Sequence, residues 1–293
     1  MTYLFHRPIM VCNAQSGSHD PEMETQLGEI LRAAGRPFVH SIHLPDDDVP
    51  SRDMLEAHEA DLLVIWTGDG SIRAAAQKID GWDGAILPLP GGTLNLLSKK
   101  LHGDRDPADI LRDVVSDHAM RRSIPILRGS AHSLADASSG PSSGEGDDSI
   151  ALITILAGPA TRWAEVRETL RQDGIISATR SAPDAVNAML NAPGVRVTGH
   201  AGEHSAVILT PLPNGIDAHG ILAEGAMDLL RHGLAWLGGD FRDGPSQFIT
   251  KAAELCLESD RPISIEFDGE LTEHPSPLFV RLGHSATDFL STR

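Results

Sequence analysis

Hydrophobic positions in the first third of the chain fall into short unbroken runs. Between them lie segments whose apolar residues recur every three or four positions, which is the rhythm of βαβ units. Residues 8–13 predict a buried strand, followed by a turn through Asn13-Ala-Gln-Ser-Gly-Ser. A helix is expected from Pro21, where Met23, Leu27, Ile30 and Leu31 share one face. Strands follow at 38–42, 61–66 and 85–89, and helices at 49–60, 71–79, from Asn95, and at 107–115. The pattern predicts a doubly wound α/β domain built on a parallel sheet.

After about Ser123 the pattern changes to alternation, which predicts a mainly antiparallel, β-rich second domain. Its strands are expected at 123–127, 150–157, 195–200, 205–209, 248–257, 263–267 and 278–282. Helices at 160–171, 183–190 and 221–237 interrupt them. The expected division is therefore 1–120 for the first domain and 121–293 for the second, with the last residues free to pack back on the first. Between Ala135 and Asp148 runs a Ser/Gly/Asp-rich tract that can bury no core and reads as a loop tip.

Charge narrows the partners. The chain of 293 residues carries a formal net charge of −17, with carboxylates spread along its whole length. Nucleic acid is excluded as a partner, because phosphate backbones are held by clustered Lys and Arg. Steady electrostatic attachment to an anionic membrane is disfavoured for the same reason. Two cysteines, Cys12 and Cys256, lie in apolar stretches and read as small buried hydrophobes; their spacing suggests neither a disulfide framework nor a zinc site. The N-terminus lacks the pattern of a signal peptide and no apolar run spans a bilayer, so a cytoplasmic protein is expected.

Candidate chemistry sits where strands end in glycine-rich turns. In Asp61-Leu-Leu-Val-Ile-Trp-Thr-Gly-Asp-Gly-Ser71 a buried strand meets an acid flanked by Gly68 and Gly70, and a helix follows directly. Backbone amides of such a turn form a phosphate site, and the glycines are expected to allow close approach and positive φ. Asp69 beside a phosphate would be repulsive unless a cation or an acceptor hydroxyl is also present, and phosphoryl transfer supplies both. The next strand ends in Pro90-Gly-Gly-Thr-Leu-Asn95, where Gly92, Thr93 and Asn95 make a second turn. Far downstream, Asp268-Gly-Glu270 closes an alternating strand as a hairpin turn.

Together these stretches resemble the diacylglycerol and sphingosine kinases, lipid kinases that share a nucleotide fold with the NAD kinases. The matching segments are Asn13-Ala-Gln-Ser-Gly17, Thr67-Gly-Asp-Gly-Ser71, Gly92-Thr-Leu-Asn95 and Asp268-Gly-Glu270. The resemblance implies ATP in a crevice between the domains, lined by Asn13, Ser16, Gly68, Gly70, Ser71, Gly92, Thr93 and Asn95. It implies that Asp69 and Glu270 are catalytic, orienting or deprotonating the acceptor hydroxyl. Mg²⁺ would bridge the phosphates, with Asp268 supporting the metal or the turn and Asp217 as a further metal candidate. Arg167 and Arg171 would reach the transferring phosphate. The substrate would be a lipid or lipid-like molecule met in transient membrane contact, and a homodimer is allowed. An NAD kinase-like enzyme and a degenerate family member that binds without turnover are the alternatives. Asp69→Asn is expected to stop transfer without disturbing the fold. Deleting residues 138–146 should leave both the thermal midpoint and phosphate transfer unchanged; loss of folding, read by circular dichroism, would show the tract to be part of the core.

Overall fold

The computed structural model describes residues 4–15, 20–131, 149–162, 192–221 and 246–293. They divide into two compact units, Met1–Ile124 with His284–Arg293, and Pro125–Gly283.

The first unit runs β1 (Pro8–Asn13), α1 (Pro21–Ala33), β2 (His40–Leu44), α2 (Arg52–Ala57), β3 (Leu62–Thr67), α3 (Asp69–Lys78), β4 (Ala85–Pro90), α4 (Leu96–His102), α5 (Pro107–Val115) and β5 (Met120–Arg122). Its sheet is completed by the last strand of the chain, β17 (Asp288–Ser291), in the order β2-β1-β3-β4-β17-β5. All neighbours are parallel except β17 and β5. Aspartates start two of the helices: Asp20 and Asp106 each accept a backbone N–H from two residues on, and each precedes a proline at the first helical position, where no N–H donor is needed.

Alternation along the strands gives the sheet two buried faces. Met10, Cys12, Leu62, Val64, Trp66, Leu87 and Leu89 pack with Leu27 and Leu31 of α1 and with Ile110, Leu111 and Val114 of α5. The chain leaves β1 toward β2 on one side and leaves β3 toward β4 on the other. Right-handed crossovers therefore carry α1 and α3 to opposite faces of the sheet.

The second unit packs two antiparallel sheets. One has the order β12-β11-β10-β8-β14-β15 and the other β7-β6-β16-β13-β9. Their strands are β6 (Pro125–Ser130), β7 (Ser149–Ala151), β8 (Ile155–Ala157), β9 (Arg196–Val197), β10 (Ala206–Leu212), β11 (Gly215–Ile221), β12 (Ser246–Ala252), β13 (Glu254–Glu258), β14 (Ile263–Phe267), β15 (Glu270–His274) and β16 (Leu278–His284). Val207, Leu209, Ile216, Ile265 and Phe267 of the first sheet meet Leu127, Val197, Leu255, Leu257, Leu278 and Val280 of the second in one core.

The fold class expected from the pattern is borne out, and the departures have physical causes. The expected strand at 150–157 is two strands, β7 and β8, in different sheets, and the strand at 248–257 likewise divides into β12 and β13. Each of these segments hides a corner at which the chain passes from one sheet to the other. Ile221 ends strand β11, so it cannot begin the helix expected at 221–237; the rest of that helix, the one at 183–190 and the tract at 135–148 lie outside the described residues. Of the helix expected at 160–171, the described part is a short 3-10 turn, Pro159–Arg162. Among the described residues no helix is long and apolar enough to cross a membrane.

His102, at the end of α4, is buried, with Nδ1 3.1 Å from the Thr292 hydroxyl. Burial, and then the charges of Arg105 and Arg122, push the imidazole down from its ordinary value to about 4. Between pH 6.5 and 4 the unfolded chain therefore binds more protons than the native one at this site, and stability falls as pH falls through that window. A shift of that size corresponds to about 3 kcal/mol. Denaturant unfolding at pH 7 and pH 4.5 should show His102→Gln losing less stability than the wild type over the same interval. Equal losses would remove His102 from the account.

Candidate active site

Strands β1, β3 and β4 are adjacent and parallel, and their registers pair Cys12 with Trp66 and Thr67 with Pro90. Asn13, Gly68 and Gly91 therefore leave the sheet at one edge and nearly one level. Because α1 and α3 lie on opposite faces, the turns after β1 and β3 flank a switch point, the position where doubly wound sheets bind ligands.

The turn after β3 is shorter than the pattern suggests. Helix α3 begins at Asp69, with Gly68 as N-cap, and no side chain caps it. The first amides of this ten-residue helix accordingly have no side-chain acceptor, and the helix dipole adds to their pull on an anion. Gly68 has φ −76° and Gly70 lies within the helix, so the expectation that these glycines supply positive φ is corrected. Their value is space. The turns after β3 and β4 lie backbone against backbone: a Cβ on Gly92 would sit 2.5 Å from Gly68 Cα, and one on Gly91 would sit 2.7 Å from both Thr67 N and Trp66 C. A Cβ on Gly68 would meet Gly92 Cα at an ordinary 3.6 Å, and one on Gly70 would meet nothing.

Left-handed backbone is needed one turn later, at Asn95, with φ 54° and ψ 41°. Its carboxamide closes onto the turn. Oδ1 accepts from Gly92 N at 2.7 Å, and Nδ2 donates to the Gly92 carbonyl at 2.9 Å. Asparagine tolerates this conformation better than most residues. Asn95 thus shapes the second turn, whereas Thr93 is exposed at its tip.

Asp69 links the two turns. Its Oδ2 accepts from Leu96 N at 2.9 Å and its Oδ1 from Leu97 N at 3.0 Å, so the carboxylate occupies the N-terminus of α4. Leu96 and Leu97 serve through their backbone, which makes their side chains immaterial to this contact. Burial pushes the Asp69 carboxyl above its usual range, against the pull of those two amides and of Lys99. The half-buried ionised form is therefore a stronger base than a solvated carboxylate. Asn13 stands at the end of β1 with Oδ1 accepting from Gln15 N at 3.0 Å. Ser16, Arg167 and Arg171 lie outside the described residues.

In the second unit, Asp268-Gly269 is a two-residue hairpin turn with φ 48° and 97°, joining β14 to β15. Asp268 is buried, and its carboxylate accepts three amides: Leu152 N at 2.6 Å, Ile153 N at 3.0 Å and Thr154 N at 2.8 Å. Glu270 begins β15 and is exposed. Asp217 lies on β11 opposite Thr210, with Oδ2 3.2 Å from His219 Nε2. From β11 to β14 there are three strand spacings, about 14 Å, so Asp217 and Asp268 do not converge on one ion. The amide clasp around Asp268 escaped the sequence reading, since its partners lie over a hundred positions away.

Residues 7–124 match the family model described as the diacylglycerol kinase catalytic domain. The resemblance drawn from the turns is borne out over this N-terminal segment, which is similar to the catalytic domain of the diacylglycerol kinases. The whole chain is also similar to solved structures from Bacillus anthracis str. Sterne. A candidate diacylglycerol kinase shares 15% identity at TM-score 0.65, over 99% of this chain and 97% of that one. A diacylglycerol kinase shares 13% at TM-score 0.61, over 98% and 97%. A second candidate shares 14% at TM-score 0.60, over 97% and 96%. At such identities the likeness concerns the fold. No curated protein matches significantly.

The contacts around Asp69 revise what its substitution does. Asn has one acceptor oxygen where Asp has two, so Asp69→Asn should lose about 1–2 kcal/mol of stability in addition to any activity. Gly92→Ala should cost about 1–3 kcal/mol through the backbone clash, whereas Gly68→Ala should cost clearly less. Urea unfolding of the three variants checks the order; a Gly92→Ala protein as stable as the wild type would contradict the close approach.

Proposed function

We propose that the chain is an ATP-dependent lipid kinase that transfers the γ-phosphate to a hydroxyl of diacylglycerol or a related lipid. The observation that carries this reading is the uncapped start of α3, pressed against the Gly91-Gly92 turn, with the basic carboxylate of Asp69 at its mouth. The match of residues 7–124 to the diacylglycerol kinase catalytic domain model supports it.

In this mechanism the amides of Asp69, Gly70 and Ser71 take phosphate oxygens, and the open space where Gly70 lacks a Cβ lets the nucleotide approach the backbone. The Asn13 amide nitrogen and the Thr93 hydroxyl offer further hydrogen bonds at the same sheet edge. Asn95 and Gly91 are positioning residues that hold the second turn in place. Asp69 accepts a hydrogen bond from the acceptor hydroxyl with lone pairs not used by Leu96 and Leu97, and the general-base role that the family resemblance implies for Glu270 falls to a carboxylate exposed at the start of β15.

Mg²⁺ suits the oxygen donors available. Asp217, half-buried, has an oxygen beyond its contact with His219 and would hold the ion with waters completing the shell. When bound, the ion offsets the phosphate charge. Asp268, committed to three amides, fits the turn-supporting role better than the metal-binding one. The net charge of −17 restricts membrane contact to brief visits.

A radiolabelled phosphate-transfer screen with ATP and Mg²⁺, offering diacylglycerol, sphingoid bases and NAD, tests the proposal. Label should enter a lipid. Glu270→Gln should lower turnover by about 10²-fold or more, with ATP affinity nearly unchanged. Label entering NAD alone would replace the lipid with a dinucleotide substrate. Nucleotide binding with no transfer to any acceptor would mark a degenerate member.

A further inference from the structure

On the other side of β1 from the β3 turn, three side chains from three elements meet. Cys12 comes from the end of β1, Glu24 from the first turn of α1 and His43 from β2. The Cys12 sulfur, a Glu24 carboxylate oxygen and a His43 ring nitrogen all lie within 4.8 Å of one another. His43 Nε2 is 2.9 Å from Glu24 Oε1. We propose that Cys12, Glu24 and His43 form a binding site for a divalent transition-metal ion of the zinc class, separate from the oxygen-rich phosphate chemistry of the proposed active site.

The donor set decides the class of ion. A thiolate and an imidazole suit a borderline-soft ion, whereas Mg²⁺ and Ca²⁺ take oxygen ligands. Sulfur, nitrogen and oxygen atoms around a tetrahedral ion stand between three and four ångströms apart, so the cluster needs little contraction to close on one. Charge also balances: one thiolate and one carboxylate neutralise a divalent ion, which matters where Cys12 is wholly buried. In the metal-free protein burial and the neighbouring Glu24 push the Cys12 thiol up to about 12. The proton must therefore leave to solvent as the sulfur–metal bond forms.

Access and support are both present. The Glu24 and His43 side chains are 27% and 41% exposed, giving an ion an entrance from the surface. The strand bearing His43 is fixed from behind, because Asp47 Oδ2 accepts from His43 N at 2.7 Å and Leu44 O accepts from Ala14 N. Three protein ligands leave a fourth position for water, as in open zinc sites. An ion there would pin α1 and β2 to the end of β1.

Cobalt(II) titration of the untagged, chelator-treated full chain tests this. The wild type should bind one equivalent with a sulfur-to-cobalt charge-transfer band, and zinc should displace it. Cys12→Ala should abolish the band. Glu24→Gln, which leaves the buried thiol in place, and His43→Ala should each weaken binding at least tenfold while keeping the circular dichroism spectrum. The proposal is overturned if the wild type shows no sulfur band with excess cobalt, or if binding of equal affinity survives both Glu24→Gln and His43→Ala. Neither result depends on kinase activity, so failure here and failure of the lipid-kinase reading can be told apart.

Discussion

The close approach of the turns after β3 and β4 is the constraint on which the N-terminal site rests. The backbones can lie this near only because the turn after β4 lacks Cβ atoms, as Gly91 and Gly92 have no room for one. Once the turns are in contact, Asp69 falls at the start of α4 and ties the two helices through amide hydrogen bonds. Hydrogen bonds to a charged acceptor are worth about 1.5–3 kcal/mol each, which explains how a carboxylate is kept in a half-buried place despite the desolvation that raises its pKa. Asp69 is thus part of the local architecture, with both of its carboxylate oxygens engaged.

The second unit uses the same device for a different end. Asp268 stands in a left-handed turn and gathers the amides of Leu152, Ile153 and Thr154, where the chain passes from β7 in one sheet to β8 in the other. A corner between sheets leaves backbone donors without ladder partners, and buried donors must be satisfied. An aspartate at the tip of a neighbouring hairpin supplies acceptors for three of them. That role follows from the strand order.

Sequence reading succeeded where the physics is local. The limits of β1, α5 and β14 follow from apolar runs and from Asp-Pro or Asp-Gly signals at their ends. The hairpin at Asp268-Gly269 follows from the turn that this dipeptide favours. It failed where a strand is recruited by others. Residues 288–291 carry only Phe289 and Leu290 as core residues, too few to mark a strand, yet the gap between β4 and β5 makes β17 of them. Similarly, 215–221 alternates small and polar residues and becomes β11 through its pairing with β10.

What the chain's sequence determined by itself is the order of strands and helices in the first third, the glycine turns at the strand ends, and the resemblance those turns carry. These depend on hydrophobic period and on backbone freedom, both properties of adjacent residues. Tertiary structure alone decided which polar atoms meet. It gave Asp69 to α4, closed Asn95 on Gly92, clasped Asp268 with distant amides, and gathered Cys12, Glu24 and His43 from three elements with no spacing that announces them. Such contacts depend on strand order and register, which arise only when the sheets are assembled.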